Sequence, residues 1–288
     1  MSNASTIPDG RRAWAPTTFL RFEAGLDTSM GTARIVTDAG PAYVKPMGNR
    51  QGPHPLACEW VATNLASWFG LQTLQFAILA INAEFDEIPF IRGGRAASGP
   101  AFATKAAAGH TWGGSEVELR SLVNPGDVGR LVVFDTWVSN CDRHPPDLTA
   151  RRPNYDNVFL EDVSGDSTGK SRLIAMDHTH CFTCGRDLDA RVAQIARVKD
   201  DRLYGLFPAF VPLVREDDVT AGVDRLAVLE DKFVRSLVDS VPEQWQLNRS
   251  TRAALAELII RRAEFVAETI LDRIARACWP GQLFDNRT

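Results

Sequence analysis

The hydrophobic period of this chain changes along its length, from two residues near one end to about 3.6 near the other. Phe19-Leu-Arg-Phe-Glu and Thr32-Ala-Arg-Ile-Val-Thr alternate, and Ala42-Tyr-Val-Lys follows the turn Asp38-Ala-Gly-Pro. Alternation sends successive side chains to opposite faces, so these segments are read as strands. Leu56, Trp60, Val61, Leu65 and Trp68 then recur at helical spacing, and Gly70 suits a helix C-cap. The last third is helical in pattern over 188–199, 222–239 and 250–277, most clearly from Arg252 to Ala277, with Arg261 and Arg262 assigned to the solvated face. Strands gathered at one end and helices at the other predict an α+β fold.

Between these ends the reading is mixed. Apolar runs at 74–81 and 88–92 precede a Gly-rich stretch, 93–114. Asn124-Pro-Gly-Asp is read as the cap of a helix through Val128–Val138, which delivers the polar cluster Ser139-Asn-Cys-Asp-Arg-His144. A Pro/Arg/Asn loop, 145–156, leads to a strand at Val158-Phe-Leu. A second loop, 162–170, leads to Leu173-Ile-Ala-Met, which ends on Asp177-His-Thr-His.

The 288 residues are 44% hydrophobic and 24% charged, which is ordinary for a globular chain and excludes disorder over most of it. A net charge of −4 makes the chain a poor non-specific binder of nucleic acid or of membranes, so neither partner is expected. Residues 1–18 lack the apolar stretch of a signal peptide, and no run reaches the roughly 18 apolar residues of a membrane span. With five cysteines, the expectation is a reduced, cytoplasmic protein without structural disulfides.

Lysine is scarce, and Lys45 is the only one in the first hundred residues. A strand lysine after a Gly-containing loop, here Gly25-Leu-Asp-Thr-Ser-Met-Gly31, can reach nucleotide phosphates; taken alone, a solvated strand edge explains it better. Glu59, on the following helix, could fix that lysine as an ion pair or simply face water. Asp142 follows a long apolar segment and could accept a hydroxyl proton; Asp142 and Arg143 could equally form a capping pair. Asp177 ends an apolar run, where a carboxylate suits Mg²⁺, and Asn157 precedes the strand beside it. Asp142, Asn157 and Asp177 therefore sit at the edges of one predicted hairpin. A rival constellation, His178, His180, Cys181 and Cys184, offers four Zn²⁺ ligand types at a spacing too tight for the usual two-pair site. Neither a full Walker A pattern nor G-x-G-x-x-G occurs.

Taken in order, these segments resemble the HipA-like kinases, relatives of the phosphatidylinositol-kinase-like fold. The resemblance is carried by Val44-Lys-Pro-Met-Gly-Asn, by the Leu56–Leu71 helix with Glu59, by Val133-Phe-Asp-Thr-Trp-Val-Ser-Asn-Cys-Asp-Arg-His and by Ile174-Ala-Met-Asp-His. It covers about residues 20 to 275. It implies a bilobal protein-kinase-like fold: a tail (1–18), a small β-rich N-lobe with one helix (19–105) and a larger helical C-lobe (106–288). The implied activity is transfer of the γ-phosphoryl group of ATP, with Mg²⁺, to a hydroxyl, most readily Ser or Thr of a protein. Lys45 would bind the phosphates, Glu59 would orient it, and the Gly25–Gly31 loop, with Ser29 and Gly31, would cover them. Asp142 would be the catalytic base and Asp177 a metal ligand. The family's D-R-H-x-x-N pattern places Asp147 where its Asn belongs; residues 147–156 are read as an insertion that moves the second metal ligand to Asn157. The disturbed pattern also motivates a second reading, a nucleotide-binding pseudokinase acting as a regulatory partner; a lipid kinase and a zinc protein rank below it. An antitoxin-type partner is a further implication of the resemblance.

Overall fold

The computed structural model describes residues 14–84, 86–163 and 169–280; most of the expected N-terminal tail and part of the loop 162–170 lie outside them. The strands are β1 Phe19–Gly25, β2 Ala33–Thr37, β3 Gly40–Lys45, β4 Phe76–Ile81, β5 Gly99–Lys105, β6 Gly109–Thr111, β7 Val158–Asp162 and β8 Ser171–Ala175. The helices are α1 His54–Phe69, α2 Glu116–Leu119, α3 Gly126–Val138, α4 Ile195–Val198, α5 Glu216–Ala227, α6 Asp231–Asp239 and α7 Arg249–Cys278. They group into two compact units. One holds the residues up to Asn49 together with Gln75–Ala106, and the other holds Arg50–Leu74 together with the residues from Ala107 onward. The α+β class is as expected. Helix α1, grouped by sequence with the N-terminal strands, belongs to the second unit.

The first unit is an antiparallel sheet in the order β1-β2-β3-β5-β4. Alternation along β2 and β3 buries Ala33, Ile35, Ala42 and Val44 in a core with Trp14, Leu79, Ile81 and Phe90. Lys45 pairs in register with Phe102 and lies on the face opposite Val44. Strand β5, second from the edge, arises inside the stretch read only as Gly-rich. Its inward residues Ala101 and Ala103 are too small to give a strand-like pattern, yet they are fully buried. The apolar run 88–92 forms no strand. Pro89 makes one isolated bridge to Arg95, and Gly93 and Gly94 turn the chain back, while Ile88 and Phe90 still fill the core.

The second unit combines helices with a three-stranded sheet, β6-β7-β8. Helix α1 buries Leu56, Val61 and Leu65, and the Gly70 N–H closes its end on the Ala66 and Ser67 carbonyls. Helix α7 packs on α3, α5 and α6 and starts from Asn248, whose side chain accepts the Thr251 N–H at 2.9 Å. Three expectations need correction. Only Ile195–Val198 is helical within 188–199, because the Asp189 carboxylate accepts the Arg191 N–H (2.8 Å) and guanidinium and so diverts the chain into a turn. The segment 222–239 is two helices, with Glu230 in extended backbone between them. Arg262 is buried rather than solvated: it donates to the Thr136 and Trp137 carbonyls at the end of α3 and to the Arg197 carbonyl. Five carbonyls attract this side chain inward (Val198 and Asp200 being the other two), and burial pushes its pKa down to about 10, so it stays protonated at neutral pH.

Candidate active site

Helix α3 is apolar enough to be buried almost throughout, and it stops at Ser139, which takes a left-handed conformation (φ 52°). The next residues are fixed by side chains rather than by helix bonds. Asn140 donates to Asp135 Oδ1 at 3.0 Å and accepts the Asp142 N–H at 3.2 Å. Arg143, with no exposed surface, donates to Asp135 Oδ1, to the Asn157 carbonyl (3.0 Å) and to the Met176 carbonyl (2.7 Å). One guanidinium thus ties together the end of α3, the start of β7 and the end of β8. The capping pair weighed for Asp142 and Arg143 does not form; Arg143 pairs with Asp135. Burial pushes the Asp135 carboxyl up, and Arg143 and Asn140 oppose that rise.

Asp142 sits at the meeting point. Its Oδ2 accepts from Asn157 Nδ2 at 2.9 Å and lies 3.4 Å from His180 Nδ1; its Oδ1 accepts from Arg151 at 2.7 Å. Burial raises its pKa, but hydrogen bonds from His180 and Asn157 outweigh burial and hold the carboxyl below the usual value. Asp142 is therefore an ionised acceptor at neutral pH. The negative charge of Asp177 works against this, which places the two carboxylates within reach of each other's field.

Asn157 and Asp177 flank the same end of the β7-β8 hairpin, where Val158 pairs with Ala175. Asn157 is buried, and its Oδ1 accepts from Asn154 at 3.0 Å. Asp177 is in a left-handed conformation (φ 56°) and accepts from Thr179 Oγ1 at 2.8 Å. Asp147, the other candidate ligand, is exposed and accepts the Thr149 N–H (2.9 Å) and hydroxyl (2.7 Å) in its own loop.

Glu59 is buried in α1 and accepts the His178 N–H at 3.1 Å. His178 Nδ1 lies 3.0 Å from Thr63 Oγ1, His180 turns to Asp142, and Cys181 is fully buried. The four side chains of the zinc pattern thus diverge. Among the described residues no group of three or more His, Cys, Asp or Glu is arranged to hold a metal ion. His144, the third residue of the D-R-H run, packs its ring on Phe207 (centroids 5.0 Å apart).

In the first unit, the loop between β1 and β2 closes through Leu26 N–H to the Thr32 carbonyl (2.8 Å) and Gly31 N–H to the Thr28 carbonyl (3.3 Å). Ser29 is half-buried on this loop. Gly31 has φ 64°, and a Cβ there would lie 2.5 Å from the Phe90 ring, so the position needs glycine for both conformation and space. Lys45 ends β3.

The sequence brought no attention to Asp135, Asn140 or the structural role of Arg143. A carboxylate on an otherwise apolar helix, eight residues before a loop arginine, was the available signal.

Among solved structures, the Helicobacter pylori proinflammatory kinase CtkA is similar at 12% identity with a TM-score of 0.56, over 92% of this chain and 100% of that one. A hydra Fam20 structure determined with sugar is similar at 13% identity with a TM-score of 0.49, over 92% and 87%. At such identity the CtkA likeness speaks to the fold alone. No curated protein matches the sequence. The family model for HipA-like kinases matches residues 37–277, which takes in Lys45, Glu59, the whole loop from Asn140 to His144, Asn157 and Asp177, and the chain therefore belongs to the HipA-like kinase family.

Proposed function

We propose that this kinase transfers the γ-phosphoryl group of ATP, with Mg²⁺, to a Ser or Thr hydroxyl of a protein. The observation that carries the reading is the convergence at the hairpin end. An ionised, partly buried Asp142 is held by Asn157 and His180, with Asp177 at the same strand end. A carboxylate so placed can accept the proton of an attacking hydroxyl and orient its oxygen.

The residues fit a magnesium ion by their chemistry. The Asn157 amide and the Asp177 carboxylate offer hard oxygen donors, and the mutual repulsion of Asp142 and Asp177 is relieved by a cation. Mg²⁺ bound there would neutralise charge on the transferring phosphates. Arg143 keeps both donors at fixed spacing by holding the carbonyls of Asn157 and Met176. In the first unit, Lys45, Ser29 and Gly31 are assigned to the nucleotide phosphates. The insertion 147–156 is assigned to the acceptor side: its Arg151 touches Asp142, and Arg152 is exposed.

The test is transfer from γ-labelled ATP to proteins of a lysate by purified wild type and Asp142→Asn. Transfer should fall roughly 10²-fold or more with nucleotide affinity retained, as for loss of a positioned base. Near-wild-type transfer by the variant would remove Asp142 from the mechanism. Nucleotide binding without any transfer by the wild type would favour the regulatory reading.

A further inference from the structure

Beside Asp142 lies a pair of sulfurs that the kinase reading does not use. The Phe182 N–H donates to the Val138 carbonyl at 2.7 Å and lays the turn 181–184 along the end of α3. Cys184 takes a left-handed conformation (φ 55°), with Sγ 4.0 Å from the Ser139 carbonyl. That posture sets its thiol beside the carbonyl two residues before Cys141, and the two thiols shift each other's titration. Arg151 Nη1, which pairs Asp142 at 2.7 Å, also lies 3.6 Å from Cys141 Sγ.

We propose that Cys141 and Cys184 form an oxidisable dithiol, which a peroxide closes to a disulfide. The inference goes beyond the transfer reaction and does not rest on it. Cys184 is the attacking sulfur, because it is partly exposed whereas Cys141 is buried. The neighbouring Cys141 thiol and the charges of Arg151, Arg186 and Arg202, working against burial, bring its pKa down to about 7. Ordinary thiols lie near 8.5, so far more of Cys184 is thiolate at neutral pH.

The Cys184 thiolate attacks one peroxide oxygen. The O–O bond breaks, sulfur loses two electrons to become a sulfenic acid, and the other oxygen leaves as hydroxide, which takes up a proton to become water. The Cys141 sulfur then attacks the sulfenic sulfur, the S–O bond breaks, and the departing hydroxide takes the Cys141 proton as a second water. In sum, two thiols and one peroxide give a disulfide and two waters. The remaining cysteines are poor competitors. Cys58 and Cys181 are buried, with thiols pushed well up by burial, and Cys278 is raised by the same cause. The bond would join the residue preceding Asp142 to the turn that follows Asp177.

The experiment treats the full-length reduced protein with a small excess of hydrogen peroxide, digests it with trypsin without reductant and maps the cross-links by mass spectrometry. The expected product joins the peptide 131–143 to the peptide 173–186, lighter by the two thiol hydrogens and restored by dithiothreitol. Because the second peptide also holds Cys181, fragmentation must place the link on Cys184. Cys184→Ser should lose the link, and Cys181→Ser should keep it. A link on Cys181, Cys58 or Cys278, or sulfinic acid on Cys184 with Cys141 still a free thiol, would overturn the proposal. The wild-type fragmentation decides the matter even if a variant fails to fold.

Discussion

The two units hold their candidate site residues by opposite means. In the first, Lys45 is placed by the backbone: β3 is paired on both sides, and Val44 anchors the opposite face in an apolar core. In the second, Asp142 lies in a loop, and its position depends on side chains, chiefly the buried Arg143 and Arg262 at the two flanks of the α3 terminus. Strand register is redundant, since many hydrogen bonds share the load. A guanidinium staple concentrates it on one residue, so one substitution can release three segments together.

The largest effect should follow from breaking that staple. Arg143→Met leaves the buried Asp135 carboxyl without its cation, which costs about 3–5 kcal/mol. Urea unfolding of this variant and of Asp135→Asn/Arg143→Met measures it. If the penalty is the unpaired charge, the double variant should recover a large part of the loss. Equal stability of the single and double variants would mean that the carbonyl bonds to Asn157 and Met176, not the ion pair, carry the staple.

The backbone-built unit should break by crowding instead. Gly31→Ala forces a Cβ against the Phe90 ring in a left-handed conformation and should cost about 1–3 kcal/mol. Phe90→Leu opens space, so the double variant should be less damaged than the two losses added. Strict additivity in thermal or urea unfolding would locate the cost in backbone conformation rather than in the ring contact.

The same contrast explains what the sequence revealed. Period-two alternation exposed β2 and β3, because their inward positions carry Ala33, Ile35, Ala42 and Val44 between more exposed neighbours. It missed β5, which faces the sheet core with the alanines Ala101 and Ala103, and it mistook 188–199 for helix, because a single Asp189 side chain outcompetes the backbone. Asp142, Asn157 and Asp177 stood out in the sequence because each borders an apolar run, and the structure brings all three to one hairpin end. Asp135 and Arg262 did not stand out: a charged residue on a helix is read as solvated until the carbonyls or cations around it are known. Side-chain staples act between segments far apart in sequence, and no local pattern encodes them.

Within the second unit, the choice between Asn157 and Asp147 as the proposed second metal ligand tests how fine that side-chain control is. Asn157 is buried and bonded to Asp142, while Asp147 is spent on its own turn at Thr149. Asn157→Ala should lower transfer about tenfold, in line with loss of a group that orients or ligates at a metal site, and weaken metal–nucleotide binding with it. Asp147→Ala should leave both close to wild type. A larger loss from Asp147→Ala than from Asn157→Ala would put the ligand inside the insertion.

The smallest effect concerns the electrostatics around the second staple. Asp200 sits beside Arg262 and accepts from Arg202 (2.7 Å) and from the Tyr204 hydroxyl (2.7 Å). Burial raises its pKa, but these hydrogen bonds prevail and bring it down to about 2. A carboxyl whose pKa is lower folded than unfolded binds more protons in the unfolded state, so stability rises with pH through that interval. Its contribution is complete above pH ~4, near the unfolded value, and drains away as pH falls toward 2. The full shift would correspond to about 2.5 kcal/mol; solvent around the exposed partner Arg202 screens the pair and reduces it to about 1 kcal/mol. Urea unfolding of wild type and Asp200→Asn at pH 7 and near pH 2 isolates the term from the other carboxylates. A gap of about 1 kcal/mol at pH 7 that closes in acid would show charge reinforcing the guanidinium staple. A gap that stays constant with pH would mean that Asp200 acts through neutral hydrogen bonds, leaving Arg262 held by carbonyls alone and the end of α3 insensitive to acid.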